Sequence, residues 1–172
     1  MSIAAPTSGA VSTCDLCDAH RSDASGLFRV LPPVFLSFGA VAAFHGQVST
    51  IKCFEDNALV KEAVHSPGLG RVLVVDGGAS LRRALVGGNL AAAAARSGWA
   101  GIVVNGCVRD VAELNAEHVG IRALALMSMA TEKRGSGEKD VPVLVQGVWV
   151  RPGEWLYADA DGIVISDRAL HA

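Results

Sequence analysis

Residues 71–110 read RVLVVDGGASLRRALVGGNLAAAAARSGWAGIVVNGCVRD, and the fold turns on them. Arg71-Val-Leu-Val-Val-Asp76 is a short continuous apolar run closed by Asp76-Gly77-Gly78. That is the pattern of a strand buried on both faces and followed by a turn. Gly87-Gly88-Asn89 then opens an alanine-rich helix over Leu90 to Ser97, which stops at Gly98. Gly101-Ile-Val-Val-Asn105 repeats the buried-strand pattern and ends in Gly106-Cys-Val-Arg109-Asp110. Strand, helix and strand in succession predict a mixed α/β domain.

Working outward on the C-terminal side, Val111, Leu114 and Asn115 mark a short helix, and Ile121 to Leu126 a short strand. Gly135 to Asp140 reads as a flexible polar loop. Val141 to Val150 alternates as one strand, with Val141, Val143 and Val145 on one face. Trp155 to Tyr157 and Ile163 to Ile165 are strands joined through Asp159-Ala-Asp161-Gly162. That last stretch lacks the remainder of a 12-residue calcium loop, so it reads as a turn. On the N-terminal side, Asn57 to His65 looks helical and stops at Ser66-Pro67-Gly68. Phe44 to Phe54 alternates like a half-buried strand with a polar face (His45, Gln47, Ser49). Leu27 to Phe38 is loop and short strand, interrupted by Pro32-Pro33. Ser12 or Thr13 can cap a short helix through Asp18. Residues 1–12 are expected to be a frayed N-terminus and residues 13–172 a single domain, with no internal repeat.

The 172 residues are 51% hydrophobic and 19% charged, and the mean hydropathy is +0.36. A disordered chain would need low hydropathy and high net charge. Fifteen Lys and Arg against 17 Asp and Glu leave a net charge of −2, which offers no broad basic face for nucleic acid. The longest uncharged apolar stretch, Leu31 to Phe44, is too short for a bilayer that needs about 20 residues. The start has no basic region followed by an apolar one, so a cytoplasmic setting with reduced thiols is expected. Cys14 and Cys17 form one CxxC without a second pair, and the five His are scattered, which speaks against zinc. The two thiols are expected to be buried or half-buried on one N-terminal helix. Nineteen Gly stand against 5 Phe, 3 Trp and 1 Tyr, which suggests close backbone packing, tight turns or surface hidden in an assembly, and composition does not choose among these.

Two turns carry the chemistry. In α/β sheets, ligands collect at the carboxyl ends of strands beside helix N-termini. Gly87-Gly88-Asn89-Leu90 could present free backbone N–H groups to an anion, or simply turn the chain. Arg109-Asp110 could bind a carboxylate through the guanidinium and a hard cation through the Asp oxygens, or be a surface ion pair starting a helix. Together they supply what a small 2-oxo acid bound to a divalent cation needs: amide donors, a guanidinium and a carboxylate for the metal.

At these residues the chain resembles a known family. Val72-Leu-Val-Val-Asp-Gly-Gly78, Ser80-Leu-Arg-Arg-Ala84, Gly98-Trp-Ala-Gly-Ile102, Gly106-Cys-Val-Arg-Asp110 and Gly153-Glu-Trp-Leu-Tyr-Ala-Asp159 carry the likeness. The family is that of the regulator of ribonuclease activity A. Its enzymatic members are class II 4-hydroxy-4-methyl-2-oxoglutarate aldolases with oxaloacetate decarboxylase activity. The likeness runs from about Cys14 to Ile165. It implies a swivelling β/β/α-type α/β domain in a homotrimer, or a hexamer of paired trimers, with sites near subunit boundaries. It further implies that Arg109 binds the substrate carboxylate and Asp110 holds Mg²⁺ or Mn²⁺. Backbone groups of Gly87, Gly88, Asn89 and Leu90 would cradle the pyruvyl end, and a pyruvate enolate would form as the C–C bond breaks. One position departs from the family pattern. Active members place an Asp 21 positions before the Arg, where this chain has Gly88, so an orienter of metal-bound water or a proton relay is missing. Arg109-Asp110 favours a lyase on 2-oxo acids. Gly88 favours the alternative, a non-enzymatic protein that docks on a ribonuclease or helicase partner.

Overall fold

The protein, seen here as a computed structural model, is described over residues 10–171. Its elements in chain order are α1 (Thr13–Ala19), β1 (Phe28–Val30), β2 (Leu36–Phe38), β3 (Phe44–Lys52), α2 (Ala58–Val64), β4 (Val72–Asp76) and β5 (Ala84–Val86). They continue with α3 (Gly88–Arg96), β6 (Gly101–Val108), α4 (Val111–Ala116), β7 (Gly120–Leu126) and β8 (Glu138–Lys139). The hairpin β9 (Val143–Val145) and β10 (Val148–Val150) follows, then β11 (Trp155–Ala158) and β12 (Ile163–Ser166).

One ten-stranded sheet runs β1-β12-β11-β3-β4-β6-β7-β2, with β5 added beside β6 and β8 beside β3. Its middle is parallel, and its two flanks are antiparallel. The alternation within β4 and β6 divides the core. Leu73, Val75, Ile102 and Val104 face α2, α3 and α4 through Val60, Val64, Ala91, Ala94 and Leu114. Val72, Val74 and Val103 face the β9–β10 hairpin and β11–β12 through Val143, Val145, Val150, Leu156 and Ile165. Burial on both faces is why these strands are unbroken apolar runs rather than alternating ones. No helix among the described residues is long and apolar enough to cross a membrane.

Two glycines find their reason in this sheet. Gly101 and Gly120 are register partners on β6 and β7. A Cβ added at either would come within 2.2 Å or 2.0 Å of the Phe44 ring. One aromatic ring thus lies on a bare backbone floor, with the Arg122 guanidinium 5.2 Å from its centre. Ser12 caps α1, accepting from the Asp15 amide at 3.2 Å. The frayed segment expected over residues 1–12 otherwise falls largely outside the described residues.

Several expectations need correction. The first buried strand is followed not directly by the helix but by β5, three residues too short to read as a strand. β6 does not end at Asn105. It runs on to Val108, with a register irregularity between Val104 and Cys107, so Arg109 follows a strand directly. The single strand expected over 141–150 is a hairpin. Gln146 and Gly147, at φ +49° and +79°, form a two-residue turn that reverses it. The polar face of β3 is shorter than expected: from Val48 to Ile51 it is buried on both sides, with Ser49 accepting from the Arg71 guanidinium and Thr50 donating to the Val141 carbonyl. The polar loop at 135–140 contains β8, bonded to β3. Cys14 is exposed, not buried, and Cys17 is half-buried; no cysteine is in a disulfide.

Candidate functional site

β5 and β6 run parallel and end side by side, which brings the turn after one against the turn after the other. The Arg109 amide donates to the Val86 carbonyl at 3.0 Å and fastens the two turns together. Asp110, the N-cap residue of α4, sits in the left-handed region at φ +62°, ψ +50°. Among non-glycine residues Asp tolerates that conformation better than most, and such strained positions gather at functional sites. Its side chain does not cap its own helix. It reaches across to α3, where the Gly88 amide donates to Asp110 Oδ2 at 3.0 Å. A carboxylate therefore lies at the positive end of the α3 dipole. The next amides, Asn89 and Leu90, have no intrahelical acceptor at this end of the helix.

Arg109 Nε stands 3.8 Å from the same Asp110 oxygen, and Nη1 donates to the Ser128 carbonyl at 3.2 Å. Both side chains are about two-fifths exposed, at 42% and 40%, and open to a ligand. The glycines make this closeness possible. A Cβ on Gly87 would stand 2.7 Å from Asp110 Oδ2. A Cβ on Gly88 would stand 1.8 Å from Glu113 Oε2 and 2.7 Å from Glu113 Cβ. The space that a side chain at position 88 would take is occupied by the carboxylate of Glu113.

Gly87, Gly88, Asn89, Leu90, Arg109 and Asp110 all line one cavity of about 340 Å³. The six residues singled out from the sequence are thus brought together. Glu113 was missed, although its position carries a signal. Three residues after Asp110, in the first turn of α4, it falls on the same side of the helix start. Asn57 and Thr131 also line the cavity, and no local pattern marks them. Asn57 donates through Nδ2 to the Leu85 carbonyl at 3.0 Å. Asn57 Oδ1 and Thr131 Oγ1 are buried without a partner, which is costly unless a ligand or water serves them.

Among the described residues, no three His, Cys, Asp or Glu side chains gather where they could hold a metal. The turn itself offers two carboxylates, Asp110 and Glu113. Such a donor set suits a hard divalent cation such as Mg²⁺, commonly bound by one or two carboxylates with water and substrate oxygens completing the shell. It does not suit zinc, which takes three or four nitrogen and sulfur ligands.

Residues 13–165 match the family model described as RraA-like: Aldolase/RraA. A provisionally named 4-hydroxy-4-methyl-2-oxoglutarate aldolase from Albidiferax ferrireducens is 64% identical over 163 residues, covering 90% of this chain and 94% of its own length. A protein of the same name from Cupriavidus necator is 57% identical over 159 residues, covering 92% and 96%. Among solved structures, the RNA-processing inhibitor RraA from Thermus thermophilus superimposes with a TM-score of 0.86 at 48% identity, covering 92% and 93%. A Geobacillus kaustophilus structure described as an S-adenosylmethionine:2-dimethylmenaquinone methyltransferase gives 0.88 at 40% identity, covering 93% and 97%.

Proposed function

The chain belongs to the RraA-like, Aldolase/RraA family, and from that membership we propose that it is a lyase that cleaves 4-hydroxy-4-methyl-2-oxoglutarate to pyruvate and decarboxylates oxaloacetate at the same site. One observation carries this reading. Arg109 and Asp110 face one cavity beside the Gly87-Gly88 turn, and the Glu113 carboxylate lies against Gly88 at the edge of that turn. A divalent cation, Mg²⁺ or Mn²⁺, held by Asp110 with Glu113 beside it, would supply Lewis-acid polarisation of a keto oxygen.

The rest follows from the chain's own groups. Arg109 binds the carboxylate of the 2-oxo acid, because a guanidinium matches its two oxygens. The Asn89 and Leu90 amides at the start of α3 take up the negative charge that grows on oxygen as the C–C bond breaks. Donors fixed in advance at that position lower the barrier without reorganising. Glu113 takes the place left by the absent carboxylate at position 88, as orienter of water or as proton carrier. Retro-aldol cleavage and loss of CO₂ leave the same three-carbon fragment, so one arrangement serves both.

The test is pyruvate release from each substrate with Mg²⁺ or Mn²⁺, coupled to a dehydrogenase, with Asp110→Ala as control. The variant should lose at least about a hundredfold. Wild type and variant both at the metal-only background would sink the reading.

A second reading, regulation of a ribonuclease, is favoured by the likeness to the Thermus RNA-processing inhibitor. It predicts that the chain lowers ribonuclease activity in a reconstituted assay and that Asp110→Ala does so equally well. It leaves Arg109 and Asp110, which face the cavity, without a task, and the lyase is preferred for that reason.

A further inference from the structure

The cavity extends beyond the two turns. Asn57, Lys61 and His65 line it from α2 and its caps, and Asn89, Ala92 and Arg96 from α3. Those spacings are single helical stripes, so the cavity is a groove along two neighbouring helices. Both helices begin at the Arg109–Asp110 end, as the Asn57 bond to Leu85 shows. Arg96 lies two turns further along α3 than Gly88, about 12 Å of helix rise. Its side chain leans back towards the helix start, as helical side chains do.

The groove is far more positive than the chain. Lys61, Arg96, Lys133 and Arg109 line it against the single acid Asp110, in a protein of net charge −2. Lys61 and Arg96 form no ion pair and no side-chain hydrogen bond among the described residues. Cations close by do take carboxylates: Lys139 pairs with Glu62 on α2 at 2.5 Å, and Arg82 pairs with Glu55 at 2.6 Å. Basic residues in a last helical turn oppose the helix dipole, which accounts for a charge at each position. It does not account for both lying on the face that lines the groove, with no acid opposite.

We propose that Lys61 and Arg96 form a second anion subsite, holding a carboxylate on the far part of the substrate while Arg109 holds the 2-oxo acid end. This rests on the lyase reading, and it assigns the selecting residues for the fragment that departs. The 2-oxoglutarate skeleton in the relatives' name carries a carboxylate at each end, as a groove with cations at both ends requires. Asn57 Oδ1, buried and without a donor at the N-cap of α2, stands at the Arg109 end of the groove, where it is left to accept from a substrate hydroxyl.

The experiment is calorimetric binding of 2-oxoglutarate and 2-oxopentanoate to the full chain with Mg²⁺ present. The two ligands differ only in a terminal carboxylate against a methyl group. Wild type should bind 2-oxoglutarate about tenfold tighter or more. Lys61→Met with Arg96→Met should bring that ratio close to one and leave 2-oxopentanoate binding unchanged, which also shows that the variant folds. Arg96→Lys alone should keep part of the preference. A wild-type ratio near one, a preference that survives the double substitution, or equal loss of both ligands would each overturn the subsite. Exchange of pyruvate methyl protons with D₂O, followed by NMR, separates the two claims. Its absence in wild type defeats the lyase reading, while the binding ratio still decides the subsite.

Discussion

At position 88 a carboxylate that the family pattern expects is absent, and the carboxylate of Glu113 lies in that space. Read along the chain, Gly88 is a lost carboxylate, and the loss counts against turnover. In three dimensions the same volume holds Glu113 Oε2, 1.8 Å from where a Cβ on Gly88 would stand. Glycine there is a condition for Glu113 to enter. Glu113→Ala should therefore reduce pyruvate release about 10- to 100-fold, as loss of a group orienting a metal site does. Gly88→Asp alone should perform poorly, because its side chain collides with Glu113. Gly88→Asp combined with Glu113→Ala should recover most of the rate by moving the carboxylate back. Unaltered turnover in Glu113→Ala would show that this carboxylate has no part in the reaction. The six candidate residues, which line one cavity, were legible because each lies close to a strand end, where glycine, Arg and Asp are out of place in an apolar run. Glu113 was not, since a Glu in the first turn of a helix is ordinary by itself.

At the scale of elements, what was legible depended on burial. β4 and β6 stand out because both their faces are covered, and α2 and α3 because their caps are explicit. β5 and β8 were hidden because they are short and their partners lie far away in the chain, and the β9–β10 hairpin because its turn at Gln146-Gly147 interrupts an otherwise continuous alternation. The segment from Thr131 to β8 illustrates this. From Gly135 onward it reads as a flexible polar loop, yet Asp56 holds it, accepting from the Arg134 amide at 2.8 Å and the Ser136 amide and hydroxyl at 3.1 Å. Burial by itself would raise the Asp56 pKa, but the bonds from Ala58, Ser136 and Arg134 outweigh it and hold the carboxyl below its ordinary value. A lowered folded-state pKa stabilises above the unfolded value of about 3.9, and that contribution fades as pH falls through the folded value. Amide exchange at Arg134 and Ser136 should thus stay slow from neutral pH down to about 4 and quicken below it. Asp56→Ala should show the fast exchange at every pH. The Phe44 floor makes a companion prediction. Gly120→Ala puts a methyl into the ring and should cost about 1–3 kcal/mol, read as a lowered Tm with the cavity residues untouched.

Across the whole molecule, several large apolar side chains of the described residues face water. Phe54, Leu81, Leu126 and Met129 are exposed by 57%, 55%, 49% and 56%. Leu81, Met127 and Met129 line one concave surface with Glu55, Arg82 and Arg83. That surface adjoins the site directly, since the Ala84 amide donates to the Met129 carbonyl at 2.8 Å and Arg109 reaches the Ser128 carbonyl. Patches of this kind on a small chain mark an interface, and the Glu55–Arg82 ion pair beside it supplies the polar rim that such contacts show. We propose that copies of the chain meet here in a closed homotrimer. Each copy would then cover the Leu81–Met129 surface next to its neighbour's cavity. Head-to-tail contacts between identical chains form a ring when the rotation closes, and three is a common closure. Sedimentation velocity on the wild-type protein should find three chains of 17.8 kDa per particle. Leu81→Glu with Met129→Glu places two charges in that contact and should leave monomers of normal secondary structure. Pyruvate release should fall as assembly is lost, because the segment after β7 that carries Ser128 and Met129 also positions Arg109. A monomeric wild type, or a double variant that still sediments as a trimer, would place the contact elsewhere or remove it.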